Sequence, residues 1–155
     1  MIILGIDPGT ATTGYGVIKK EGADLFCLSY GVIKTEKTLS PARRLEKIRK
    51  EVESIIKEFK PSILAIENVY FFKNLKTAFP VSQAKGVIMA LGAKEKMEVY
   101  EFTPLQIKSA ITGTGRAEKK QVQKMIQASL KLEDTPTPSD AADALGAAIC
   151  ASQVF

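Results

Sequence analysis

Four carboxylates stand where packing alone would not put them: Asp7, Glu67, Asp140 and Asp143. Asp7 ends the apolar run IILGID before a Pro-Gly pair, and Glu67 follows the apolar run SILAI. An unpaired charge at the end of a core strand is costly, so each needs a cation, a metal or exposure at the sheet's edge. Asp140 and Asp143 are three apart in TPSDAADALGAA, a spacing that puts both on one helical face. Ala144 and Ala147 share that face and are small enough for the helix to lie close on a sheet. Brought together, the acids form a four-carboxylate cup. Like charges would keep some of them protonated unless divalent metal neutralised the site. Each acid alone has a plainer reading: a turn cap at Asp7, a salt-bridged strand end at Glu67, and helix-dipole compensation at Asp140 and Asp143.

The chain has no histidine. That removes Ser-His-Asp and Cys-His nucleophile systems, histidine-zinc sites and imidazole acid–base catalysis. Carboxylates, lysines, hydroxyls or a hard metal remain, which favours Mg²⁺ or Mn²⁺ on oxygen ligands. The 22 Lys and Arg against 17 Asp and Glu leave a net charge of +5, a mild pointer to an anionic partner. Cys27 and Cys150 fall within apolar patterns and read as two buried, reduced thiols of a cytoplasmic protein. No run approaches the ~20 apolar residues of a membrane span. The N-terminus has no basic region before its apolar stretch and reads as a strand, not a signal peptide. At 155 residues a single domain, 1–155, is expected.

The elements that must position these acids follow from local pattern. Residues 1–7, 14–20 and 25–35 read as strands of an antiparallel meander, joined by a Gly/Thr turn and by EGAD. Gly9, Gly14 and Gly16 suggest a tight turn where backbone approaches something closely. Ser40 and Pro41 start a helix whose apolar positions run from Leu45 to Phe59, and Pro61 stops it. Strand 62–69 precedes the polar–aromatic loop YFFKN, then a helix over 75–96 with Pro80 near its start. Strand 98–103 and helix 104–112 follow, then the basic loop GTGRAEKK and helices over 119–131 and 139–153. Strands in a hairpin series, then alternating with helices, give an α/β fold with a mixed sheet.

GIDPGTATTGYGVI, AIENVYFFKN, TGTGRAEKKQV and SDAADALGAA, in that order, resemble the crossover junction endodeoxyribonuclease RuvC family of the RNase H-like superfamily. The resemblance covers essentially the whole chain. It implies a five-stranded mixed sheet flanked by helices, and a homodimer that resolves four-way (Holliday) junction DNA in recombination and repair by paired nicks leaving 5′-phosphates. It places the metal-binding acids on Asp7, Glu67, Asp140 and Asp143. Two Mg²⁺ or Mn²⁺ ions per site are implied, with Asp7 bridging, Glu67 and Asp143 each on one ion, and Asp140 as ligand or base. Lys108 and Lys119 fall on the basic residues near the scissile phosphate, and Tyr70 on the aromatic at the crossover point. The RuvA-RuvB branch-migration complex is the implied protein partner, and the helix over 75–96 the implied dimer contact.

Beside that resemblance, Arg116 and Lys120 in the basic loop, with Lys73, Lys76 and Lys85, read as phosphate contacts that position DNA without reading sequence. Tyr70, Phe71 and Phe72 are three adjacent aromatics, of which Tyr70 or Phe71 is the candidate to stack on a distorted base. The plainer readings are a solvated charged face for the lysines and core packing for the aromatics. DPGT also resembles the phosphate-binding turn of actin-like and sugar-kinase ATPases, which need two such domains. An RNA nuclease of the YqgF type and a non-catalytic junction-binding module compete as well. The Lys-rich and aromatic loops and the four acids favour a junction nuclease over both.

Overall fold

The computed structural model describes residues 1–68 and 75–155, apart from the side chain of Leu75. Five strands form one sheet in the order β3-β2-β1-β4-β5. β1 (Ile2–Asp7), β2 (Thr12–Glu21) and β3 (Asp24–Lys34) pair antiparallel, as the meander pattern predicts. β4 (Ile63–Glu67) and β5 (Glu98–Phe102) add in parallel on the other side of β1.

Strand alternation sorts the side chains between two layers. Leu4, Ile6, Val17, Leu64 and Ile66 face α1 (Pro41–Phe59) and α2 (Leu75–Lys94), where they meet Ile48, Val52, Ile56, Ala84, Ile88 and Leu91. Ile3, Ile18, Ile63 and Ala65 face α5 (Ser139–Ser152), with α3 (Pro104–Thr112) and α4 (Lys119–Ser129) behind it. By the same alternation Asp7 and Glu67 belong to the α5 face. Local chemistry sets the helix ends. The Ser40 hydroxyl caps α1 by accepting from the Arg43 N–H, and Thr103 and Gln106 form a reciprocal capping box on α3. Gly113 ends α3 in the left-handed region at φ 77°.

The glycines explain how close α5 can come. A Cβ on Gly5 would lie 2.0 Å from the Ala144 carbonyl oxygen, and one on Gly14 would lie 2.0 Å from that of Asp140. Gly14 and Gly16 are strand residues, since β2 begins at Thr12 and not at 14. What the backbone approaches so closely there is α5. Cys150 is buried as expected, but Cys27 is only half-buried because β3 is the edge strand; both thiols are free. No helix among the described residues is long and apolar enough to cross a membrane.

The glycine track gives a stability test. Gly5→Ala forces α5 off the sheet against backbone atoms that cannot rotate away. It is expected to cost about 1–3 kcal/mol, the scale of core overpacking, read as a lower urea midpoint; an unchanged midpoint would show that α5 has slack there.

Candidate active site

The sheet register assembles the acids. β1 and β4 run parallel with Ile6 level with Ile66, so the next residues, Asp7 and Glu67, end adjacent strands side by side. On the other flank Asp7 pairs with Gly14, whose missing side chain leaves room for the first turn of α5. The turn after it brings Asp143 over the strand ends. Asp7, Glu67 and Asp143 each offer a carboxylate oxygen, all within 4.8 Å of one another.

Asp140 is outside this trio, at its edge, and lines a neighbouring cleft of about 520 Å³ with residues 9–12 and with Lys76, Thr77, Pro80 and Val81 of α2. Its charge still reaches the cluster, because it helps raise the pKa of both Asp7 and Glu67.

Burial dominates the electrostatics. It drives the Asp7 carboxyl from an ordinary 3.8 to about 8, and the charges of Glu67, Asp143 and Asp140 add to the shift. Glu67 is raised too, first by burial and then by Asp143, while its hydrogen bond with Asp7 pulls the other way. At neutral pH without metal these effects favour the protonated Asp7 carboxyl, which donates a hydrogen bond to Glu67. Three hard oxygen donors in mutual repulsion fit a divalent ion of the Mg²⁺ or Mn²⁺ kind.

Two lysines meet the same site. Lys108 and Lys119 line a cavity of about 190 Å³ together with Glu67 and Asp143, over an apolar floor of Ile107, Val122 and Ile126. The Lys119 ammonium lies 3.2 Å from Asp143 Oδ2. With Lys119 59% and Asp143 30% exposed, this tether is weak, worth at most about 1 kcal/mol, and leaves the lysine able to turn to another anion.

The other basic positions divide. Arg116 and Lys120 flank the start of α4, and Lys76 is exposed at the start of α2. Lys85 instead is largely buried, ion-paired with Glu101 and bonded to Asn68 Oδ1 at 3.0 Å, so it ties α2 to the ends of β4 and β5. Tyr70, Phe71 and Lys73 lie outside the described residues.

Sequence reasoning missed Ser139, whose hydroxyl donates to Asp143 Oδ2 at 3.5 Å. The signal was present in the i, i+4 spacing of Ser139 and Asp143.

A raised carboxyl pKa has a definite effect on stability. The folded state keeps a proton that the unfolded chain releases, so the contribution of Asp7 to stability is full below pH ~4 and is lost as pH rises through about 8. In EDTA, the melting temperature is expected to fall as pH is raised toward 8, and Mg²⁺ or Mn²⁺ to restore it most at the alkaline end. Asp7→Asn removes the titrating group. Its metal-free melting temperature at pH 8 should exceed the wild type's by a few degrees, with a flatter pH response. A wild-type melting curve indifferent to both pH and metal would contradict the electrostatic account.

The family model described as crossover junction endodeoxyribonuclease RuvC matches residues 3–151. The crossover junction endodeoxyribonuclease RuvC of Natranaerobius thermophilus is 48% identical over 100% of this chain and 96% of its own length. Thermus thermophilus RuvC is similar in structure, with a TM-score of 0.91 at 32% identity, over 98% of this chain and 93% of that one. The same Thermus protein in complex with Holliday junction substrate gives a TM-score of 0.90 at 30% identity, with the same coverage. The mixed five-stranded sheet between helical layers is thus RNase H-like. By its sequence over nearly its whole length and by its fold, this chain belongs to the crossover junction endodeoxyribonuclease RuvC family.

Proposed function

We propose that this protein is a metal-dependent endonuclease that resolves Holliday junctions by paired nicks in opposing strands, leaving 5′-phosphates, during recombination and repair. The observation that carries the reading is the meeting of Asp7, Glu67 and Asp143 at one point, beside Lys108 and Lys119, in a chain of this family. The whole chain, 1–155, acts as one nuclease domain. It works in the cytoplasm, with the RuvA-RuvB branch-migration complex as its protein partner.

Hydrolysis of a phosphodiester needs a water in line with the leaving oxygen and stabilisation of charge on the phosphoryl oxygens. Asp7, Glu67 and Asp143 would hold the divalent metal, two ions of Mg²⁺ or Mn²⁺, and Asp140 at the edge would serve as a further ligand or as the base. When bound, such ions supply Lewis-acid stabilisation and promote the nucleophile. The protein's own cations do the rest of the electrostatic work. Lys119 exchanges its weak tether to Asp143 for the scissile phosphate, and Lys108 approaches from the same cavity. Arg116, Lys120, Lys76 and Lys73 anchor flanking phosphates, which makes binding salt-dependent. Tyr70 or Phe71 stacks at the crossover.

The test is incubation with a synthetic four-way junction, Mg²⁺ or Mn²⁺ and product mapping, with a structured RNA as the competing substrate. Wild type is expected to make symmetric nicks in the junction and to leave the RNA intact. Asp7→Asn should abolish cleavage and retain junction binding. Lys119→Ala should reduce the rate at saturating metal and DNA about a hundredfold while affinity changes little; equal losses in both would make it a plain phosphate anchor.

Paired cuts in a two-fold symmetric junction call for a two-fold symmetric enzyme. The proposed dimer contact is α2. Its inner side is buried at Ala78, Ala84, Ile88 and Leu91, while Phe79 stands 69% exposed, in line with exposed Gly86 and Ala90. Sedimentation at micromolar concentration should give a dimer, and Phe79→Glu should give a monomer. A wild-type monomer even with junction DNA present would overturn both the contact and the coordinated cuts.

A further inference from the structure

The turn that follows Asp7 is held more firmly than joining β1 to β2 requires. Three successive carbonyls are all engaged by buried groups. Gly9 accepts from the Thr13 hydroxyl at 2.5 Å, Thr10 from the Thr35 hydroxyl, and Ala11 from the Thr35 N–H at 3.1 Å. The Thr35 hydroxyl in turn accepts from Arg44 Nε at 2.8 Å. Thr13 and Thr35 are 0% and 7% exposed, two of the three buried polar residues among those described. A chain of bonds thus runs from α1 through the end of β3 to the turn. None of these hydrogen bonds ends on the carboxylate trio, and β1 already fixes the Asp7 backbone through the sheet.

What the turn does form is one wall of the cleft of about 520 Å³ that Asp140 lines, facing the start of α2. A DNA strand that lies across the carboxylates and continues past Asp140 must pass along this wall. Carbonyl oxygens bound inside the protein are withdrawn from a surface that a polyanion follows. Fixing the wall also fixes how far the strand can slide before a phosphate meets the acids.

We propose that Thr35 and Arg44 are positioning residues: through residues 9–11 they set the cleft wall that registers the scissile strand, and so determine which phosphate is cut. The inference rests on the nuclease reading above. Neither residue reaches the reacting atoms; both act through the backbone of the turn.

Thr35→Val keeps the shape and deletes the hydroxyl, Thr35→Ser keeps the hydroxyl, and Arg44→Lys keeps the charge but loses the Nε donor. Cut positions on a four-way junction, KM and kcat, and the melting shift with Mn²⁺ are measured for each. Thr35→Val is expected to spread cleavage over neighbouring phosphates and raise KM about tenfold, since a displacement near 1 Å can cost up to a hundredfold. Its kcat summed over all products should change less, and its Mn²⁺ shift should match wild type, because the metal-binding acids are untouched. Thr35→Ser should restore a single cut position, and Arg44→Lys should show a milder spread. If the wild type cuts the junction and Thr35→Val cuts at the same position with the same KM, the positioning role is overturned. It is overturned equally if Ser fails to rescue, or if Thr35→Val does not fold and Arg44→Lys cuts as wild type. A wild type that does not cut the junction overturns the nuclease reading, and this inference with it.

Discussion

The seat of α5 on β1 and β2 is the contact on which the site depends. Helix and sheet meet so closely at Gly5 and Gly14 that any side chain there would overlap the Ala144 and Asp140 carbonyl oxygens. The buried stretch of α5 that makes the contact is largely alanine, including Ala141, Ala144, Ala147 and Ala148. Small residues on both surfaces allow proximity, and proximity brings Asp143 within reach of Asp7 and Glu67. A wider helix–sheet spacing, ordinary for larger side chains, would leave Asp143 without the other two. The geometry of the acids is therefore a consequence of packing several residues away.

Proximity creates the electrostatic problem that defines the site. Desolvation and mutual repulsion push Asp7 to about 8, so the metal-free protein answers by retaining a proton on Asp7 and by placing Lys119 against Asp143. Both devices are weak and reversible: a proton that divalent metal can displace, and an exposed ion pair that contributes little. A buried, tightly bonded lysine would neutralise Asp143 better but would resist giving way. Lys85, ion-paired with Glu101 away from the trio, shows that this fold can hold a lysine in the firmer manner.

Much of this is legible in the sequence because it is local. Ser40-Pro41, the strand run over 1–35 and the apolar spacing of α1 each depend on neighbours a few residues apart, and the elements form close to where pattern puts them. The acids stand out because carboxylates at the ends of apolar runs contradict packing. Sequence does not carry the parallel register that levels Asp7 with Glu67, since β1 and β4 are about 60 residues apart. It also leaves open the offset of Asp140 from the trio, which depends on how α5 is rotated on its seat. Gly14 reads as a turn residue because a glycine in a strand and one in a loop look alike until the helix above it is known. Lys85 reads as a DNA contact because its partner, Glu101, is on a different element.

The two spaces beside the carboxylates differ in a way that bears on the order of binding. One is rimmed by Lys108 and Lys119 over apolar residues; the other is walled by the braced turn and Asp140. Between them lie acids that repel a phosphate as strongly as they repel one another. DNA reaching this centre without divalent cations would add negative charge to a cluster already holding a proton to limit its own. Cations arriving without DNA would be held by the protein's carboxylates alone. Each therefore improves the site for the other, and coupling of this kind is reciprocal by thermodynamic necessity. DNA affinity that is independent of the metal has to come from contacts outside the centre, the role proposed above for Arg116, Lys120 and Lys76. The phosphate can then be brought to the acids by contacts that do not depend on the metal.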